Sequence, residues 1–298
     1  MRFQYDTIGE RFVESKTVAA FSAADTHTLL GALDALGGVS GLDTLDLACG
    51  YGYNTRLLAR GGARRAVGVD ISEEMIRLAR AHGVIGADDV ATLEGAVGAD
   101  SSPEPSEDDA VAAALAPGAV APGAVATGPA GSTPGRAAPR DTSIEYVVAD
   151  TAKLPQLGPF DLATAVYLFS QATDRSALHA MFRSIRANLR DGGRLLAIVP
   201  NAGAYPHVDW SPYGVRIVDR VHEGDAPLLK AQFLTRPSVD FEFREWAHAD
   251  LAEAAVEAGF ATVGWQPNRT PPPDGARDEA YWTAYRAWPI SSLMTCTA

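Results

Sequence analysis

Three observations along the 298 residues predict an α/β architecture. Short apolar runs of strand length alternate with amphipathic stretches of helix length. A glycine turn, Gly50-Tyr51-Gly52, joins the first apolar run, Leu45–Leu47, to the helix that follows it. An acid, Asp70, ends the second run about 20 residues on, the spacing of a nucleotide-binding βαβ unit. Together they predict a seven-stranded, mostly parallel sheet with helices on both faces, an antiparallel edge, extra cap strands and a disordered insertion.

Residues 6–15 and 23–36 carry apolar side chains at helical spacing. Strand one is Thr44 to Ala48. Its helix runs from about Asn54 to Arg60 and stops at Gly61-Gly62. Strand two, Ala66 to Asp70, leads into a helix from Glu73 to Ala81, with Ser72 as its N-cap. From 86 to 141 the chain is rich in Ala, Gly, Pro, Ser and acids, lacks aromatic residues and repeats APGAV at 116–125. Such a stretch cannot bury enough apolar surface to offset its ordering entropy, so it reads as a disordered surface insertion. Ile144 to Asp150 is strand three. Phe160 to Phe169, almost continuously apolar, suits a strand buried at the sheet centre. A helix over 175–189, a turn at Asp191-Gly192-Gly193 and a strand from Arg194 to Val199 follow.

After Pro200 the pattern changes. Gly214–Val221 and Leu228–Leu234 read as two strands joined around Glu223-Gly224-Asp225. Val239–Trp246 alternates as a third. A helix from His248 to Ala258 stops at Gly259, and Phe260–Trp265 returns as a strand. The last two strands are expected to form the antiparallel edge, and the earlier pair to extend the sheet or cover the site. The organisation expected is one domain, 1–85 plus 142–298, with cap helices in 1–36 and cap strands in 201–236.

The net charge of −12 argues against a general nucleic-acid binder, because phosphate contacts need basic surface. Two cysteines, Cys49 and Cys296, suggest neither a disulfide framework nor a metal-ligand spacing. The N-terminus lacks the apolar run of a signal peptide, and no stretch is long enough to span a bilayer. A cytoplasmic protein with no membrane partner is expected; the oligomeric state is not legible.

The glycine turn carries the chemistry. Gly50 and Gly52 let the backbone turn with positive φ and let a ligand lie against it. The helix starting near Tyr53 points free N–H groups at that ligand. Asp70 stands where an acid accepts hydrogen bonds from ribose hydroxyls. A dinucleotide site wants a third glycine, and Thr55 stands there instead. Asp46, just before the turn, would repel a diphosphate and attract an ammonium or sulfonium. These features point to S-adenosylmethionine. Asp46 also reads as a turn residue, and Asp70 as an acid approaching the next helix.

The chain resembles the class I S-adenosylmethionine-dependent methyltransferases, which have a Rossmann-like fold. LDLACGYG, VGVDIS, the VVAD ending strand three, FDLATAVYLF, LRDGGRLLAIVP and LAEAAVEAGFATVGW carry the resemblance. YDTIGERFVESK, DWSPYGV and FEFREW resemble, more narrowly, the toxoflavin-synthase-like small-molecule methyltransferases, which implies N-methylation of a nitrogen heterocycle in specialised metabolism. The resemblance implies that Asp46, Ala48, Gly50 and Gly52 line the methionine part of the cofactor. It implies that Asp70 holds the ribose, with Ile71 and Met75 near the adenine. Asp150 would accept from the adenine amino group with Thr151 beside it, although Asp150 also reads as an N-cap or turn acid. Val166 and Tyr167 would lie near the methyl group. Tyr51 departs from the smaller residue common between these glycines.

Methyl transfer of this kind is an in-line SN2 displacement that needs the nucleophile held near the methyl carbon and water kept out. Tyr5, Phe12, Tyr167, Trp210 and Tyr213 are candidates to face the sulfonium or stack on a flat aromatic or heterocyclic substrate; each also reads as core packing. Tyr5, His27 and Tyr167 are the catalytic candidates. His27, His207 and Glu242 are possible general bases, needed only where the nucleophile must lose a proton. No metal cluster is expected. The alternatives are C- or O-methylation of an indole or phenol, a non-catalytic S-adenosylmethionine-binding protein, and an NAD-dependent oxidoreductase, which lacks its third glycine.

Overall fold

The computed structural model describes residues 4–6, 9, 13, 19–82 and 142–298. The 86–141 insertion, Phe12 and most of the 6–15 helix lie outside the described residues.

The elements follow the predicted alternation. Helix α1 (Ala20–Ala35) precedes β1 (Asp43–Leu47), α2 (Tyr53–Arg60), β2 (Arg65–Asp70) and α3 (Glu73–Ala81). Then come β3 (Ser143–Val148), β4 (Phe160–Val166), α4 (Arg175–Asn188) and β5 (Leu189–Pro200). The C-terminal part contains β6 (Val215–Val221), β7 (Leu228–Phe233), β8 (Val239–Arg244), α5 (His248–Glu257), β9 (Thr262–Pro267), α6 (Glu279–Ala287) and β10 (Ser291–Thr297).

Seven strands form the main sheet in the order β3-β2-β1-β4-β5-β10-β9. The first five run parallel, as βαβ connections require. β10 is antiparallel to both of its neighbours, β5 and β9. This corrects the expected edge. Val239–Trp246 does not join the main sheet; it supplies β8 to a second, antiparallel sheet ordered β6-β7-β8. The strand that completes the edge is the C-terminal β10. Alternation marks a segment as half-buried but is blind to which sheet it pairs with. The expected turn at Asp191-Gly192-Gly193 also falls within β5. There the C-terminal residue continues the ladder: Gly192 N–H donates to Ala298 O (2.9 Å), and Ala298 N–H donates to Gly193 O (2.8 Å).

Period-two alternation divides the core. Leu45 and Leu47, Val67 and Val69, and Ala163 and Ala165 face α4 and α5. Leu162, Leu196, Ile198 and Leu293 face the other way, against Leu29 and Leu33 of α1 and Leu58 of α2. α1 buries residues 20, 21, 24, 25, 28, 29, 32 and 33, a helical stripe. Its N-terminal end meets the small sheet, where Phe21, Trp210, Val215, Phe233 and Trp282 form a further cluster. The edge of the small sheet is closed by a side chain: Gln4 Nε2 donates to Glu242 O (2.9 Å), and Glu242 N–H donates to Gln4 Oε1 (3.0 Å).

Asp46 shares its face of β1 with neighbours fixed by register. It pairs with Thr164 of β4 on one side and with Gly68 of β2 on the other. Gly68 has no side chain because Thr55 and Tyr146 occupy that space. A Cβ there would sit 2.7 Å from Thr55 Oγ1 and 2.8 Å from Tyr146 Cδ1. Gly68→Ala is therefore expected to cost about 1–3 kcal/mol through overpacking, read as a lower urea midpoint. An unchanged midpoint contradicts this packing.

Candidate active site

The strand order reverses between β1 and β4, and the crevice outside their C-terminal ends is where open α/β sheets bind ligands. A cavity of about 600 Å³ lies there, lined by the glycine turn, Asp70, Met75, Val166 and Tyr167, and roofed by α1 and the small sheet. Its walls are mostly apolar, as expected of a small-molecule site.

Backbone strain concentrates on it. Ala48 (φ 53°) and Tyr167 (φ 59°) are the non-glycine residues at positive φ among those described. They end the adjacent strands β1 and β4, and both line the cavity. Left-handed backbone at a residue with a Cβ costs of order 1 kcal/mol and persists where the surroundings over-determine it. Gly50 (φ 53°) and Gly52 (φ 82°) complete the turn without that penalty.

Asp70 ties the turn to the end of β2. Its Oδ2 accepts from Gly50 N–H and its Oδ1 from Ser72 N–H, both at 2.9 Å. Burial raises its carboxyl above the ordinary range, while those backbone donors oppose the rise. Arg56 lies buried behind the turn, where Nη1 donates to Tyr51 O (2.8 Å). Arg56 does not line the cavity; Arg277, on the loop before α6, is the cationic side chain among the described lining residues. Burial pushes the Tyr51 phenol up to about 12, so it stays protonated.

Asp46 is placed differently from the reading given above. It is buried beneath the cavity and does not line it. Its Oδ2 accepts from Thr55 Oγ1 (2.7 Å) and its Oδ1 from Thr164 Oγ1 (2.8 Å). The carboxylate is thus committed to joining α2, β1 and β4 beneath the turn. Gly52, Ile71, Asp150 and Thr151 also lie outside the lining. Asp150 caps the 3₁₀ turn at Thr151–Lys153, accepting from Ala152 N–H (3.0 Å). Ala48, Gly50, Asp70, Met75 and Val166 do line it.

Of the catalytic candidates, Tyr5, His27 and Tyr167 all line the cavity, whereas His207 and Glu242 do not. Burial, followed by the negative field of Asp70, raises the Tyr5 phenol. Trp210 is on the wall; Tyr213 packs edge-on against Tyr281 and Tyr285 instead. The sequence reading missed two groups. One is Asp25, buried on α1 and facing the cavity. The other is a run of near-parallel rings: Phe21 on Phe233 (12°), Phe233 on Phe241 (10°) and Phe241 on Phe243 (17°). The i, i+2 spacing of Phe241 and Phe243 was the available signal, because it puts both rings on one face of a strand.

Residues 44–121 match the family model described as a methyltransferase domain, which is less than half of the chain. No curated protein matches. Solved structures do. An S-adenosylmethionine-dependent methyltransferase from Mesorhizobium loti matches at 18% identity and TM-score 0.51, over 92% of this chain and 100% of that one. One from Clostridium acetobutylicum matches at 13% identity and TM-score 0.51, over 98% and 95%. A complex of the Haloferax volcanii Trm112 methyltransferase activator and a methyltransferase matches at 18% identity and TM-score 0.54, over 100% and 96%. At such identities the likeness is one of fold.

The residues present fit S-adenosylmethionine. The turn offers backbone groups and the carboxylate of Asp70, and the cations stand behind it or across the cavity.

The Asp46 carboxyl gives the site a pH signature. Burial pushes it from 3.8 up to about 6, against the pull of the two threonine hydroxyls. A carboxyl raised in the folded state stabilises fully below pH 3.8, and that contribution is lost as pH rises through 6. The stability of the native protein relative to Asp46→Asn is therefore expected to fall between about pH 4 and pH 6, by up to about 3 kcal/mol. Denaturant unfolding at stepped pH checks this; a flat or rising difference contradicts it.

The matched segment thus bears the signature of a methyltransferase domain, and the chain around it shares the fold of solved S-adenosylmethionine-dependent methyltransferases.

Proposed function

We propose that this protein transfers the methyl group of S-adenosylmethionine to a small, flat heteroaromatic acceptor, preferentially at nitrogen. The observation that carries the reading is that the cofactor crevice and the aromatic slot are one cavity. Ala48, Gly50 and Asp70 line it, and so do Phe233, Phe241 and Phe243.

Bound S-adenosylmethionine supplies an electrophilic methyl with a neutral thioether as its leaving group. The protein's task is then positioning and exclusion of water. Asp70, with both carboxylate oxygens oriented by backbone N–H groups, is set to accept from the ribose hydroxyls. Met75 supplies apolar wall for the adenine. Asp46 keeps the turn in register from below. The Phe21, Phe233, Phe241 and Phe243 rings stack on one another into a rigid apolar wall, against which a flat aromatic guest buries its surface. Tyr167, immediately after β4, lines the same cavity. The small sheet and α1 cover the slot, and Gln4 holds the segment bearing Tyr5 against β8.

The test is incubation with methyl-labelled S-adenosylmethionine and a panel of azapteridines, pyrimidines, indoles and phenols, read by mass spectrometry. The expected result is a labelled heterocycle whose fragments place the methyl on nitrogen. Label on carbon or oxygen of an indole or phenol overturns the acceptor assignment. Cofactor binding without product from any acceptor overturns the catalytic reading in favour of a cofactor-binding protein.

A further inference from the structure

Five residues remote in sequence meet at the side of the cavity. Tyr167 Oη donates to Asp25 Oδ2 at 2.7 Å. Asp25 Oδ1 accepts from Ser291 Oγ (2.7 Å) and from Asn268 Nδ2 (3.1 Å). Asn268 Nδ2 also lies 3.3 Å from Tyr285 Oη. Asp25 and Tyr167 both line the cavity, whereas Asn268, Ser291 and Tyr285 do not. Three donors thus compensate the burial of the Asp25 carboxyl. It lies beside Tyr167, whose left-handed backbone follows the end of β4.

The geometry points to Tyr167 and Asp25 as a proton relay that takes up the ring N–H proton of the acceptor as its conjugated nitrogen is methylated. The inference rests on the proposed methyl transfer and deepens it: the acceptor class is a heteroaromatic with a ring N–H conjugated to the attacking nitrogen. The ring nitrogen's lone pair forms the N–CH3 bond, and the C–S bonding pair stays on sulfur. The N–H proton passes to Tyr167 Oη as the phenolic proton passes to Asp25 Oδ2, so the product leaves neutral. Proton loss from Asp25 to water resets the pair. Tyr167 touches the acceptor; Asp25 acts through it and is a positioning residue. Burial, followed by the charge of Asp25, holds the Tyr167 phenol well above its ordinary range. The phenol therefore passes a proton on, and the carboxylate is the terminal acceptor. Among the described residues, Tyr285 is a further titratable neighbour of the network, raised by burial and by Asp25; Asn268 and Ser291 are neutral donors.

The test uses lumazine, which has ring N–H groups, and 1,3-dimethyllumazine, in which they are blocked. Calorimetry with cofactor-free protein is expected to show lumazine binding about tenfold more tightly, the worth of one hydrogen bond to a charged network. Tyr167→Phe and Asp25→Asn should each abolish that preference. With labelled S-adenosylmethionine, the same two variants should lower kcat for lumazine by about 10²-fold, with KM raised by no more than the tenfold lost in binding. The double variant should lose little more, as expected of groups acting as a unit. If Asp25→Asn does not fold, Tyr167→Phe decides alone. Equal binding of the two lumazines by the native protein overturns the relay, as does a preference that survives Tyr167→Phe. Absence of labelled product from every acceptor overturns the proposed methyl transfer and the relay with it. Product from the native protein with unaltered kcat in both variants overturns the relay alone.

Discussion

A buried carboxylate, Asp46, fixes the geometry on which the rest of the site depends. It lies where three elements converge, and its two oxygens take one hydroxyl each from α2 and β4. Removing a charge from water costs several kcal/mol unless donors compensate, so the arrangement tolerates little displacement. With β1, α2 and β4 held at these distances, the loop between β1 and α2 must turn tightly, and Ala48, Gly50 and Gly52 adopt left-handed backbone to make that turn. Asp70 then fastens the turn from the β2 side through Gly50 N–H. The crevice is the space left above this frame.

The site's chemistry follows from what surrounds that space. Its floor is rigid parallel sheet. Its roof comes from α1 and a separate sheet whose inner face is phenylalanine. A ligand that spans both regions needs a polar, cationic end for the turn and must bring its reactive group under the aromatic roof. S-adenosylmethionine satisfies the first condition, and the proposed planar acceptor would meet the second. The low dielectric of such a cavity strengthens the few polar interactions it holds, which is why Asp25, Tyr167 and Asp70 matter more than their number suggests.

The first half of the sheet was legible because its signals are local. The apolar strands, Gly50 and Gly52, the acid at the end of β2, and the Ser72 cap, which accepts from Met75 N–H at 3.1 Å, lie within a few residues of the elements they specify. Strand partnership after Pro200 was not legible. Val239–Arg244 alternates equally well whether it pairs with β7 or with a strand of the main sheet, and Ser291–Thr297 mixes small polar and apolar residues without a strong period. Asp46 invited a ligand role from its place before the turn. Register with Thr164 and the approach of Thr55 gave it a structural one, and both depend on pairing that the sequence does not state. The Asp25 network draws on residues 25, 167, 268, 285 and 291, which only the closed fold brings together.

The most direct test of the account is the thermal shift produced by S-adenosylmethionine compared with NAD. A ligand that binds only the folded state raises Tm by an amount that grows with the logarithm of its concentration above Kd. The account predicts a concentration-dependent rise with S-adenosylmethionine and none with NAD. A rise with NAD alone would contradict it, because the turn would then be reading a diphosphate rather than a cation.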